Sequence, residues 1–270
     1  MIPASFEYET AESVSHALSL LAEHGEDAKL LAGGHSLLPM MKLRLAQPMV
    51  LIDITRVSGL SGIRVEGSEL VIGATTRHAD IATSDVVRAE TPILAYAASQ
   101  VGDPQIRHRG TIGGSLAHSD PSADLPMTLV ALGGSVEITG PSGVRTVPAE
   151  EFFVGFFESV LSPDELLTAV RVPRGGSAPW GYQKFVRRAN DWAIVGVAAY
   201  DGRVALASMG STPLRALAVE SALASGASAA DAAEHAAEGT SAGSDFHAEK
   251  EYREHLARVL TRRALEGQTG

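Results

Sequence analysis

The amino-acid sequence predicts an α+β protein: two small α/β subdomains followed by a C-terminal domain of antiparallel sheet and helices. Three observations carry this. Helix-like and strand-like periodicities alternate over the first 55 residues. From about residue 56 to 175 short strand patterns mix with helical ones. Beyond a stretch rich in Pro and Gly at 173–181, strand patterns follow one another directly. The expected division is 1–55, 56–175 and 176–270, and 270 residues at 45% hydrophobic content suffice for such cores.

In the first unit, Thr10 is expected to cap a helix with Val14, Ala17, Leu18 and Leu21 on one face and Gly25 just past its end. "AKLL" then reads as a strand, "SLLPMMKLRL" as an amphipathic segment and "MVLIDI" as a buried β-branched strand. In the second unit "ELVIGA", "SVEITG" and "LLTAVRV" read as strands. Thr91-Pro92 opens a helix as cap and first-turn proline, and Asp124 to Leu132 forms another that stops at Gly133-Gly134. In the third, "YQKFVRR", "DWAIVGVAAY" and "GRVALASMG" form a meander with Asp201-Gly202 as a tight turn. A terminal helix is expected to align Tyr252, Leu256, Val259, Leu260 and Arg263, and the Ala/Ser/Gly-rich run at 221–244 to form a surface helix with flexible flanks.

Composition removes several functions. With 22 Lys+Arg against 32 Asp+Glu the net charge is −10, and no basic block offsets it, so neither nucleic acid nor an anionic membrane is an expected partner. With no cysteine, the 270 residues hold no disulfide, thiolate metal site or iron–sulfur cluster. No His or acidic spacing supports a metal site. "MIPASFEYET" lacks the basic flank and apolar run of a signal peptide, and no apolar stretch has bilayer length, so a cytoplasmic location without membrane insertion is expected.

Two stretches share a pattern. In "KLLAGGHSLLPMMKLRL" and "RHRGTIGGSLAHSDPSADLP" a β-like run breaks into two adjacent glycines, a hydroxyl residue and a histidine. Glycine lets a ligand approach the main chain, and successive N–H groups can form an anion-binding nest. One such pair is an ordinary turn; two with matching flanks suit a diphosphate. The chain has neither G-x-G-x-x-G nor GK[ST], so a dinucleotide-binding βαβ unit and a phosphate-binding P-loop are both excluded. Ser115, His118 and Asp120 do not make a nucleophile elbow, since the run reads Gly113-Gly114-Ser115-Leu116-Ala117.

Together with "FEYETAESVSHALSLLAEHGEDAKLL", "YQKFVRRANDWAIVGVAA" and "YREHLARVLTRRAL", these motifs span nearly the whole chain. In that order the sequence resembles the FAD-binding subunits of the molybdenum hydroxylases, such as the carbon monoxide dehydrogenase medium subunit and the FAD-binding part of xanthine dehydrogenase. The resemblance implies a PCMH-type FAD-binding fold with a carbon monoxide dehydrogenase flavoprotein C-terminal domain. It implies noncovalent FAD whose diphosphate is clamped by Ala32, Gly33, Gly34, His35, Ser36 and Leu37 on one side and Thr111, Ile112, Gly113, Gly114 and Ser115 on the other. By the same resemblance Asp124 accepts hydrogen bonds from ribityl or ribose hydroxyls, and Leu167, Lys184 and Trp192 lie beside the isoalloxazine. His35 and His118 are read as donors that hold their loops. Relatives often place Asn where this chain has Ser115, which has fewer hydrogen-bonding atoms.

The implied activity is electron transfer without a catalytic side chain. Molybdopterin on a large subunit oxidises a substrate, 2Fe-2S clusters on a small subunit relay electrons, and FAD here passes them to an external acceptor, within a heterotrimer that pairs again. The alternative is a stand-alone flavin oxidase of the vanillyl-alcohol-oxidase type, some members of which link flavin covalently to a Gly-Gly-His histidine. Such enzymes usually add a large substrate domain, for which the residues after the boundary are too few.

Overall fold

The computed structural model describes residues 2–267. The first unit comprises β1 (Glu7–Thr10), α1 (Val14–His24), β2 (Ala28–Leu31), α2 (Leu37–Lys42) and β3 (Val50–Asp53), with a parallel sheet in the order β1-β3-β2. Ala17, Leu20 and Leu21 of α1 pack on Val50 and Ile52 of the central strand. Gly25 ends α1 at φ +54, as its position suggests. Thr10 does not cap the helix. It is drawn into the ladder opposite Asp53, and Ser13 caps instead, accepting the His16 N–H at 3.1 Å. Ser13 has the extended backbone a cap needs, which leaves Thr10 free to extend the strand.

The second unit comprises β4 (Ile63–Glu66), β5 (Glu69–Gly73), the helices α3 (His78–Thr83), α4 (Asp85–Glu90), α5 (Pro92–Ser99), α6 (Pro104–Arg107), α7 (Ile112–His118) and α8 (Asp124–Leu132), then β6 (Ser135–Gly140), β7 (Gly143–Pro148), α9 (Ala149–Phe152), the hairpin β8 (Phe153–Gly155) and β9 (Glu158–Ser159), and β10 (Leu166–Pro173). Its five-stranded sheet, β4-β5-β10-β6-β7, is antiparallel at every pairing. The last unit holds β11 (Trp180–Phe185), β12 (Val195–Tyr200), β13 (Arg203–Ala207) and β14 (Leu214–Arg215) as an antiparallel meander, then α10 (Leu217–Ala224), α11 (Ala229–Ala233) and α12 (Lys250–Leu265). Asp201 and Gly202 both have positive φ, which a two-residue hairpin turn requires.

α8 is buried along all nine residues because it lies between two sheets. Leu125, Met127, Leu129 and Val130 share a core with β5, β6 and β10 and with Tyr182, Ala198 and Ala205 of the last unit. β12 is also buried on both faces. Ala198 and Tyr200 face that core, while Val195, Val197 and Ala199 face a third core under α10–α12. Period-two alternation here chooses between two cores rather than between core and water.

Three expectations are corrected. The run Gly110–Ile112 is not a strand: Thr111 makes one antiparallel bridge with Arg77, and the helix α7 starts at Ile112. The Ala-rich run is not a surface helix. It breaks at Gly226 (φ +87) into α10, α11 and a short 3-10 turn, and Ala232 and Ala236 are buried in the third core, where small side chains permit close approach. The buried face of α12 is Arg253, Leu256, Ala257, Leu260, Thr261 and Ala264, leaving Tyr252 and Arg263 outward.

That close approach is testable at Gly181, where an added Cβ on β11 would collide with the Ala264 carbonyl oxygen of α12. Gly181→Ala is expected to lower stability by about 1–3 kcal/mol, the usual cost of overpacking, read as a fall in the denaturant midpoint. An unchanged midpoint would mean that α12 is free to lift from the sheet.

Candidate cofactor-binding site

A cavity of about 1030 Å³ opens where the first unit, α7–α8, β10 and β11 meet. Both glycine pairs border it, together with Asp124, Leu167, Lys184 and Trp192.

The first glycine loop leaves the end of β2. Gly34 takes φ +78, a conformation costly for any residue with a Cβ. Gly33 lies so close to the second stretch that a Cβ would meet the Arg109 carbonyl oxygen and come within 2.8 Å of Gly110 Cα. The two segments therefore brace one another. Among the described residues, the backbone N–H groups of Gly33, Gly34, His35, Ser36 and Leu37 donate to no protein acceptor. Five consecutive unspent donors, turned from a strand into a short helix beside a cavity, are suited to an anion. The His35 side chain is exposed at this loop, and among the described residues no hydrogen bond ties it down.

The second glycine pair is built differently, and the expectation of a second donor nest is corrected. Thr111 caps α7, its Oγ1 accepting the Gly114 N–H at 3.3 Å. Ile112 N–H donates to Thr76 O at 3.0 Å, Gly113 N–H to Ala74 O at 2.8 Å and Ser115 N–H to Thr111 O at 3.0 Å. The amides from Ile112 to Ser115 are all consumed, because a capping threonine and the end of β5 offer acceptors to the first helical turn. The glycines serve by size. A Cβ on Gly113 would lie 2.6 Å from the Ala74 Cβ, so that glycine packs α7 on the sheet. A Cβ on Gly114 would meet only Thr111 Oγ1, at 2.8 Å, and Ala32 Cβ, at 3.9 Å. Gly114 thus faces the first loop across the cavity wall.

His118 ends α7 half-buried, its ring against Phe157 with centroids 4.9 Å apart, and burial lowers its pKa although Asp120 opposes the shift. The contact holds the end of α7 against the β8–β9 hairpin, whose Phe157 has φ +57 and also borders the cavity.

At the other end, Asp124 opens α8 and is 3% exposed. Lys184 Nζ donates to its Oδ2 at 2.9 Å and to the Gln100 carbonyl at 3.1 Å, and the Tyr182 hydroxyl donates to its Oδ1. Burial raises the Asp124 pKa, opposed by Lys184 and Tyr182. The carboxylate expected to serve ribityl or ribose hydroxyls is thus already bonded on both oxygens, and its second lone pairs are what remain for a ligand. Leu167 is buried in β10 at the cavity wall, and Trp192 stands at the rim, 55% exposed.

Sequence reasoning missed three cavity residues or neighbours. Tyr182 was marked by lying two residues before Lys184 on a strand, and hence on the same face. Phe157 had only the Phe156-Phe157 pair as a signal. His78 had none: it is 4% exposed under Gly110, burial pushes its pKa down to about 4, and its Nδ1 lacks a partner.

The site fits FAD on its own chemistry. The cavity is long enough to reach from the free-amide loop to the Asp124–Lys184 pair, with an apolar wall at Leu167 and an aromatic at the rim. The comparisons agree. The family described as the FAD binding domain in molybdopterin dehydrogenase matches residues 4–175, and the CO dehydrogenase flavoprotein C-terminal domain matches residues 180–267. The chain is 43% identical to the carbon monoxide dehydrogenase medium chain of Hydrogenophaga pseudoflava, covering 98% of this chain and 97% of that one. It is 40% identical to the 6-hydroxypseudooxynicotine dehydrogenase complex subunit alpha of Paenarthrobacter nicotinovorans, over 98% and 95%. A solved carbon monoxide dehydrogenase from Hydrogenophaga pseudoflava superposes with a TM-score of 0.94 at 42% identity, covering 99% of this chain and 98% of that one. Likeness over the full length of medium chains does not favour the stand-alone oxidase. The chain belongs to the FAD-binding medium subunits of the molybdenum hydroxylases, a family of oxidoreductases.

Proposed function

We propose that this chain holds FAD noncovalently and carries electrons from iron–sulfur clusters of a small subunit to an external acceptor, in a complex whose large subunit bears molybdopterin. The run of free amides from Gly33 to Leu37 facing Gly114 carries the reading, since it offers a diphosphate five backbone donors. Residues 1–55 and 56–175 supply the two walls of the cofactor site, and 176–270 the floor through Lys184 and the rim through Trp192. When bound, FAD supplies the capacity to take up and release electrons. The chain's own residues bind and orient it: the first loop fixes the diphosphate, Gly114 permits close approach, Asp124 orients a sugar or ribityl hydroxyl, and Lys184 places a cation at the flavin end. Leu167 and the buried wall behind it keep water from that end.

The clusters belong to a partner because this sequence has no cysteine to ligate them. A heterotrimer that pairs again, in the cytoplasm, is the expected assembly; among the described residues no helix is long and apolar enough to cross a membrane.

Acid precipitation of the purified flavoprotein is expected to release all its flavin as free FAD. Colour that stays with the pellet would indicate a covalent bond at His35 and restore the oxidase reading. The same preparation should co-elute with a cysteine-rich chain and should oxidise no organic substrate without it.

A further inference from the structure

Lys184 and Tyr182 stand two residues apart on β11 and so project from the same face, and both reach the one carboxylate of Asp124. The Asp124 side chain is 2% exposed and that of Lys184 6% exposed, and Tyr182 is fully buried. Among the described residues, Lys184 and Tyr182 are the titratable groups that face Asp124; Tyr96 of α5 packs edge-on against Tyr182 at 5.5 Å and completes the surround. The ion pair borders the cavity, whereas Tyr182 lies behind it.

On this arrangement, and resting on the FAD reading above, we propose that Tyr182 is a positioning residue: its hydroxyl holds Asp124 ionised and thereby sets the net charge that the Asp124–Lys184 pair presents to the flavin. A buried carboxylate keeps its charge only while donors and a cation compensate its lost hydration. Burial already raises the Asp124 pKa, and the Tyr182 hydrogen bond acts against that rise. With the hydroxyl, the pair is neutral overall. Without it, Asp124 takes up a proton from solvent at moderately low pH, the Lys184 charge is left unbalanced, and a net positive charge beside the cofactor favours its electron-rich reduced form. Tyr182 touches no cofactor atom in this scheme and acts only through Asp124.

The test is spectroelectrochemical titration of the FAD-loaded full-length chain, purified with whatever proteins accompany it, together with the FAD dissociation constant of each variant. Tyr182→Phe is expected to raise the flavin midpoint potential at low pH and to return to the parent curve as pH rises. Asp124→Asn should raise it at every pH, and Lys184→Met should lower it toward high pH, where Asp124 is ionised without a counter-charge. Adding Tyr182→Phe to Asp124→Asn should produce no further shift, because the hydroxyl then has no carboxylate to hold. Tyrosine in a purely structural role would lower the melting temperature and leave the potential on the parent curve at every pH. That result, or a shift in Tyr182→Phe that does not depend on pH, or full additivity in the double variant, would overturn the inference while leaving the FAD site intact. A parent chain that binds no FAD would overturn the cofactor reading and this inference with it.

Discussion

Gly114→Val is expected to weaken FAD binding while leaving the chain folded, whereas Gly113→Val is expected to compromise the fold itself. The two glycines are adjacent and helical, yet their surroundings differ. At Gly113 a branched side chain would be driven into Ala74, where the start of α7 lies on the end of β5. At Gly114 it would press on the Thr111 hydroxyl, 2.8 Å from the added Cβ, and otherwise extend into the cavity toward Ala32. Overpacking costs about 1–3 kcal/mol, so Gly114→Val should weaken FAD binding roughly ten- to a hundredfold, with a denaturant midpoint close to the parent's. Gly113→Val should lose several kcal/mol of stability if the helix cannot lift, on the order of the larger overpacking penalties. Fluorescence titration with FAD and urea denaturation separate the outcomes. Equal FAD affinity in Gly114→Val and parent would remove Gly114 from the diphosphate wall.

The second large effect concerns the buried ion pair. Asp124→Ala leaves the Lys184 ammonium in a site shielded from water, and removing one partner of a buried pair costs roughly 3–5 kcal/mol. Lys184→Met should cost less at low pH, because the remaining carboxyl can become neutral by taking a proton. The sign follows from the shift. Burial raises the folded-state pKa of Asp124, so its protonated form favours folding; that contribution is complete below the unfolded value and is lost as pH rises through the folded one. Without Lys184 the folded value climbs further. The deficit of Lys184→Met against the parent is therefore expected to grow from about pH 4 toward neutrality, and Asp124→Ala should be the worse variant at pH 5. Urea midpoints across that range decide it. A Lys184→Met deficit that shrinks as pH rises would contradict the burial of a charged Asp124.

These variants turn on distinctions that the sequence carries unevenly. Asp124–Leu132 was legible to the residue, because a first-turn acid and a glycine in the left-handed region end it on local chemistry alone. The meander around Asp201-Gly202 was legible for the same reason: both residues tolerate the positive φ that a tight hairpin turn requires. Thr10 misled because two residues nearby could cap, and only the pairing of β1 with β3 decided between them. The Ala-rich run misled because alanine carries no strong preference between a solvated helix and a tight interface; what lay opposite it determined its burial.

The same division runs through the site. Residue patterns alone marked the two glycine pairs, since glycine is a local signal, whereas Asp124 at the head of α8 and Lys184 on β11 came to the site only through the family resemblance. Only the tertiary structure could assign different tasks to the two pairs. Whether an amide is free depends on the acceptors that meet it: Ala74 and Thr76 take those of Gly113 and Ile112, Thr111 takes those of Gly114 and Ser115, and among the described residues nothing takes those of the first run. Likewise Tyr182, Asp124 and Lys184 become one unit only because the fold brings the side chains of β11 to the head of α8, placing residues some sixty positions apart on one carboxylate. Hydrogen-bond saturation and the desolvation of charge depend on which distant segments meet, and local residue patterns do not encode that meeting.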